Sequence, residues 1–198
     1  EERRATVDDV LARAPRIDLA FKAVPGNTAD FYALQVLAAA LQGGQSSRLY
    51  EKLVKEKEMV TGVGGFMDEK RGVGAFYTNG TLRPNVKIQD VEAAIYEEIE
   101  RLKKEPIADW ELQKAKNTTR RNFINGLQSS LNRAVTIGQY TVYYNDPNLI
   151  NVRLDKVAAV TKEDVQRVAN KYLTDTNRTV VITLPKAKAK TATGASGQ

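Results

Sequence analysis

The order of apolar and polar positions divides this chain into alternating strand-like and helix-like stretches. Residues 16–24 alternate, so Ile17, Leu19 and Phe21 share one face of a half-buried strand. Pro25-Gly26-Asn27 turns the chain, with Asn27 or Thr28 as the cap of the next helix. There Phe31, Leu34, Leu37, Ala38 and Leu41 recur at spacings of three and four, which predicts a buried amphipathic helix over 28–42. Gly43 is placed to close it in the left-handed conformation, and Ser46 or Ser47 to cap a second helix carrying Leu49, Leu53 and Val54. Residues 59–67 and 73–82 form a glycine-rich antiparallel pair around the charged turn at 68–72. Its five glycines mark bulges or close backbone approach.

A helical block follows. Ile88, Val91, Ile95, Ile99 and Leu102 line one long helix that ends near Glu105-Pro106. Residues 109–126 and 129–144 read as two helices broken around Gly126, and 149–157 as a shorter one. Ile107 with Leu112 reads as a hydrophobic staple, and Val160 with Val165, around a Thr161 cap, as another. A helix then runs to Tyr172, and Thr179–Leu184 closes the pattern as a strand. The order predicts an α+β fold, a mainly antiparallel sheet covered by helices. The domain occupies 16–185, after a linker or arm at 1–15 that ends at Pro15 and before a basic, disordered tail at 186–198.

Composition narrows the chemistry. The 198 residues contain no histidine and no cysteine. A Ser-His-Asp or Cys-His nucleophile and an ordinary zinc site are therefore outside the reach of this sequence. Lys186, Lys188 and Lys190 account for three of the six net positive charges, so the basic balance is largely a property of the tail and speaks against nucleic acid as a partner. No apolar run approaches the ~20 residues of a membrane span. The opening Glu1-Glu2-Arg3-Arg4 lacks both a signal peptide and an initiator Met, and reads as the start of an excised fragment. Glu97, Glu98 and Glu100 beside Arg101, Lys103 and Lys104 read as a solvated helix face, and Tyr140, Tyr143 and Tyr144 as inward-packed rings with hydroxyls at the rim. Gly62-Val63-Gly64-Gly65 lacks the spacing of a phosphate loop.

Gly43-Gly44-Gln45-Ser46-Ser47-Arg48-Leu49, preceded by Ala33–Leu37 and followed by Trp110–Lys116, Asn132-Arg133-Ala134 and Val160–Val165, resembles the second domain of peptidase family M16. That family includes pitrilysin, insulin-degrading enzyme and the mitochondrial processing peptidase. The resemblance spans about residues 16–185 and rests on the order of motifs that are individually weak. It implies the LuxS/MPP-like metallohydrolase architecture: repeated α+β domains forming a two-half clamp or dimeric assembly around peptide substrates. It also implies zinc on a His-x-x-Glu-His helix of a partner domain or subunit. By resemblance this chain is the non-catalytic C-terminal domain, with no cofactor of its own, and its tail ends the parent. Gly43, Gly44, Ser46, Ser47, Arg48 and Leu49 are the family's structural motif. Val54 and Thr61 stand where many members carry a substrate-contacting Arg and Tyr, so that role does not transfer. The family also implies a periplasmic or secreted bacterial setting, which nothing in the sequence fixes. An inactive scaffold subunit and a basic nucleic-acid binder are the alternatives from other classes, and peptide pairing along a free sheet edge is a further expectation.

Overall fold

A computed structural model describes residues 1–186; the expected tail lies otherwise outside the described residues. Five strands, β1 (Arg3–Asp9), β2 (Arg16–Lys22), β3 (Val60–Met67), β4 (Ala75–Leu82) and β5 (Arg178–Pro185), form one sheet in the order β1-β5-β2-β4-β3. The pairs β5–β2, β2–β4 and β4–β3 are antiparallel, and β1–β5 is parallel. The helices are α1 (Ala29–Gln42), α2 (Ile88–Lys104), α3 (Asp109–Gly126), α4 (Ser130–Tyr144), α5 (Leu149–Ala158) and α6 (Lys162–Tyr172). The α+β reading is correct.

One sheet face carries the core. Ile17, Leu19, Phe21, Phe76, Leu82 and Val180 point from it into α1 and α2, whose Phe31, Leu34, Leu37, Leu41, Val91, Ile95 and Leu102 are fully or almost fully buried. Burying side chains of this size contributes roughly 1.5–3 kcal/mol each before chain entropy is subtracted. Thr28 caps α1 by accepting from the Phe31 N–H at 3.2 Å. Thr161 and Asp164 cap α6 reciprocally, each backbone N–H donating to the other's side chain at 3.1–3.2 Å.

Four expectations need correction. Residues 1–15 are not simply a linker, because Arg3–Asp9 is an edge strand of the sheet. It is held by the backbone ladder to β5 and by Arg4, which donates to buried Glu92 on α2. Gly43 has φ −84°, so it does not close α1 in the left-handed region; Gly44, at φ 103°, makes that turn. Neither Ser46 nor Ser47 caps a following α-helix with its side chain. The Ser47 hydroxyl instead donates back to the Gly44 carbonyl at 2.7 Å, and Tyr50–Glu56 winds as a wider π-helix. Glu98 leaves the solvated face: it is buried in the α2 stripe and accepts from Arg101 at 3.0 Å.

Asp30, in the first turn of α1, accepts from Arg167 (2.6 Å), Lys171 (2.9 Å) and Tyr172 (2.6 Å) of α6. Burial alone would raise its carboxyl. The hydrogen bonds from Tyr172, Arg167 and Lys171 outweigh that and bring it down from 3.8 to about 2. A carboxyl depressed in the folded state stabilises the fold above its unfolded pKa, and this contribution fades as pH falls toward the folded value. The stability advantage of the native chain over Asp30→Asn should therefore be about 1–2 kcal/mol near pH 6 and shrink between about pH 4 and pH 2. Urea unfolding across that range measures it.

Candidate functional site

The Gly-Gly turn after α1 returns the chain across the first turns of α3. Arg48 reaches Glu111 through two parallel bonds, Nε to Oε1 at 2.7 Å and Nη2 to Oε2 at 2.8 Å. Glu111 also accepts from the Ala108 N–H at 3.0 Å, so one carboxylate caps α3 and fixes the loop before the π-helix. Lys114 donates to the Ser46 carbonyl and lies 5.5 Å from the exposed Trp110 ring. The two strongest motif segments in the sequence, 43–53 and 110–116, are thus joined through their charged members. The hydrogen bonds to Glu111 raise the Arg48 pKa, and those from Arg48 lower that of Glu111. The forked guanidinium is what matches the carboxylate, so Arg48→Lys should cost about 1–2 kcal/mol in chemical denaturation.

Gly43, Gly44, Ser46, Ser47, Arg48 and Leu49 form this junction, with Ser47 and Leu49 buried. Val54 and Thr61 do not join it. Val54 packs half-buried against the core, and Thr61 sits exposed in the bulge between Val60 and Gly62, its hydroxyl donating to the Thr81 carbonyl at 3.3 Å. Neither side chain presents a charge.

The second polar centre did not emerge from the sequence. Arg153, on α5, is only 4% exposed. It donates to Glu69 in the β3–β4 turn at 2.8 and 2.9 Å and to the Tyr140 hydroxyl at 2.7 Å, with Gln35 at 3.4 Å. The rings of Phe31, Tyr32, Phe123 and Tyr140 surround the guanidinium at 5.4–5.7 Å. Tyr144 donates to the same Glu69 at 3.2 Å. Burial works against the Arg153 charge, and Glu69 more than offsets it. Burial pushes the Tyr32 phenol up to about 12 and raises Tyr140 as well. Tyr140 is 2% exposed and so closed to base stacking. One signal pointed here: Leu149, Arg153 and Val157 share a helix face, so a charge lies within an apolar stripe. Beside Arg153 is a cavity of about 240 Å³ between α1, α3 and the end of β3, lined by Gln35, Gly65, Phe66, Thr119 and Phe123 among others.

The helices leave the other sheet face uncovered. Register places Arg16, Asp18, Ala20, Tyr77, Asn79, Thr81, Thr179 and Val181 there, with Phe66, 57% exposed, at the edge, its ring 5.0 Å from Tyr77. It mixes charged, hydroxyl and aromatic groups without a catalytic constellation. The residues do not fit a zinc ion either. Histidine and cysteine are lacking throughout, and among the described residues no three carboxylates gather as ligands.

Residues 2–119 match the family described as the peptidase M16 inactive domain. A zinc protease from Helicobacter pylori, PqqE, is 30% identical over 169 residues, covering 85% of this chain and 38% of that protein. The crystal structure of a protease from Helicobacter pylori superposes with a TM-score of 0.84 at 28% identity, covering 93% of this chain and 44% of that one. An inactive peptidase domain from Bordetella parapertussis shares the fold at a TM-score of 0.81 and 24% identity, covering 96% of this chain and 98% of that chain. The chain spans less than half the length of the two Helicobacter proteins it matches.

Proposed function

Because the chain belongs to the peptidase M16 inactive-domain family, we propose that it is the non-catalytic half of a zinc-dependent peptidase. In this reading it walls part of a peptide chamber and packs on a zinc-bearing domain outside this sequence. The observation that carries the reading is the uncovered sheet face. A five-stranded sheet with helices on one side only leaves a broad surface for something else to occupy. Its polar and aromatic mixture suits a ligand that must leave again, such as an extended peptide, better than a permanent dry contact.

The division of labour follows from residue types. Water activation by zinc needs imidazole, thiolate or carboxylate ligands on one side of the metal and a general base beside it. Among the described residues no such set of ligands is gathered, so in this reading the chain's contribution is shape, electrostatics and positioning of the substrate. The Arg48–Glu111 junction and the Arg153–Glu69 centre act in this account as framework: they lock α1, α3, α4 and α5 against the sheet so that the wall stays rigid.

A substitution on the open face of the parent enzyme tests the reading. Phe66→Ser removes an exposed ring without touching the buried core, and should raise KM for an unstructured peptide about fivefold while leaving kcat within about twofold. An unchanged KM with peptides of several sequences would count against a chamber wall at this face.

A further inference from the structure

The β1 strand is an edge of the sheet, and among the described residues no further strand pairs beyond it. Such an edge presents a row of unpaired N–H and C=O groups, which folded proteins ordinarily blunt or cover. The neighbouring ladder fixes which residues carry that row. The Asp9 carbonyl accepts from the Lys186 N–H at 2.9 Å, directly after β5, so the odd positions of β1 turn their backbone groups inward. Arg4, Thr6 and Asp8 turn theirs outward. The opposite edge, β3, is a poor surface for pairing: its register shifts between Val60 and Gly62, and Gly65 has φ 156°. The β1 ladder runs without a shift from Arg3 to Asp9, and every side chain from Arg3 to Asp8 is exposed.

We propose that this edge pairs with the same edge of a second copy of the chain, antiparallel about a two-fold axis at Thr6. The charge pattern selects that occupant, because Arg3-Arg4-Ala5-Thr6-Val7-Asp8-Asp9 begins with two cations and ends with two anions. Reversed upon itself, it sets Arg3 opposite Asp9 of the second copy, Arg4 opposite Asp8, Ala5 opposite Val7, and Thr6 opposite its own equivalent. Every charge meets its opposite, and the outward groups of Arg4, Thr6 and Asp8 meet outward groups, so the ladder closes. A slip of one residue would set outward groups against inward ones. A slip of two would leave both arginines opposite uncharged residues, and parallel pairing would set arginine beside arginine. Among the described residues Arg3, Asp8 and Asp9 make no ion pair within the chain, whereas Arg4 is held against Glu2 and Glu92. The contact is self-complementary, as a two-fold interface must be. It joins two sheets through one strand each, a small area, so the association is reversible with Kd about 10–100 µM.

Sedimentation velocity of the 198-residue chain tests this, and should show monomer passing to dimer between about 1 and 500 µM. Arg3→Asp and Asp9→Arg each place like charges opposite one another, and should each weaken the dimer at least about tenfold. Mixed in equal amounts, the two variants should recover the native affinity to within about threefold, since every reversed charge then meets its opposite on the other variant. Cysteine, absent from the native chain, reads out the register. Ala5→Cys mixed with Val7→Cys should form a disulfide on mild oxidation at least about tenfold faster than either variant alone, because only positions 5 and 7 are directly opposed. These cysteine variants leave the charges in place, so they decide the matter even if a reversed variant fails to fold. A chain that stays monomeric throughout the range would overturn the proposal. So would a dimer indifferent to the charge reversals, or cross-linking as fast in each cysteine variant alone as in the mixture; either would move the contact to another surface.

Discussion

Arg153→Leu is expected to destabilise the chain by about 3–5 kcal/mol, the largest loss from any single polar substitution. Removing the guanidinium, itself only 4% exposed, strands the half-buried Glu69 carboxylate and leaves the buried Tyr140 hydroxyl and Gln35 without their partner. It also removes the cation from a ring of four aromatic side chains. The effect should come mainly from the uncompensated carboxylate, so pairing Arg153→Leu with Glu69→Leu should recover a substantial part of it. A double-mutant cycle by denaturant unfolding measures that coupling. Because Glu69 also receives Tyr144, loss of Arg153 should loosen the C-terminal turn of α4 first, giving faster amide exchange at 140–145 than in α1.

Gly65→Ala is the second large effect, expected near 3 kcal/mol. Gly65 has φ 156°, a conformation that side chains rarely adopt, and a β-carbon there would run into the Tyr77 carbonyl and the Gln42 amide. Those two groups are already bonded: Gln42 Nε2 donates to the Tyr77 carbonyl at 2.6 Å, tying the end of α1 to the sheet. A methyl group must therefore either displace that bond or push β3 away from β4. Gly62→Ala is the control, since its added carbon meets only open space and should cost under about 1 kcal/mol. Thermal unfolding of the two variants separates a packing requirement from the general weakness of glycine in strands.

Much of this was written in the sequence, and the reasons for the remainder are physical. The α1 and α2 stripes and the alternation in β2 were legible because each buries one face completely. The β1 strand was not, because every row of an edge strand can be exposed: Arg3-Arg4-Ala5-Thr6-Val7 needs no apolar alternation, and backbone pairing with β5 alone identifies it. The π-helix at Tyr50–Glu56 escaped because Leu49 and Leu53 have the same spacing in an α-turn. The motif around Arg48 was visible as a pattern, but its bond to Glu111 spans 63 positions, and that of Arg153 to Glu69 spans 84. Such pairings depend on the fold closing. Glu98 and Arg153 left one trace, a charge standing inside an apolar stripe, and the charged neighbours of Glu98 on α2 masked it.

The most direct test of the central claim is zinc-dependent cleavage of an unstructured reporter peptide, measured on the 198-residue chain, on the full-length parent, and on the parent truncated to remove this domain. The account predicts no cleavage by the chain alone at any zinc concentration, chelator-sensitive cleavage by the parent, and loss of cleavage in the truncated parent that is restored by adding the chain back. Zinc-dependent turnover by the isolated chain, or a truncated parent as active as the whole, would contradict it.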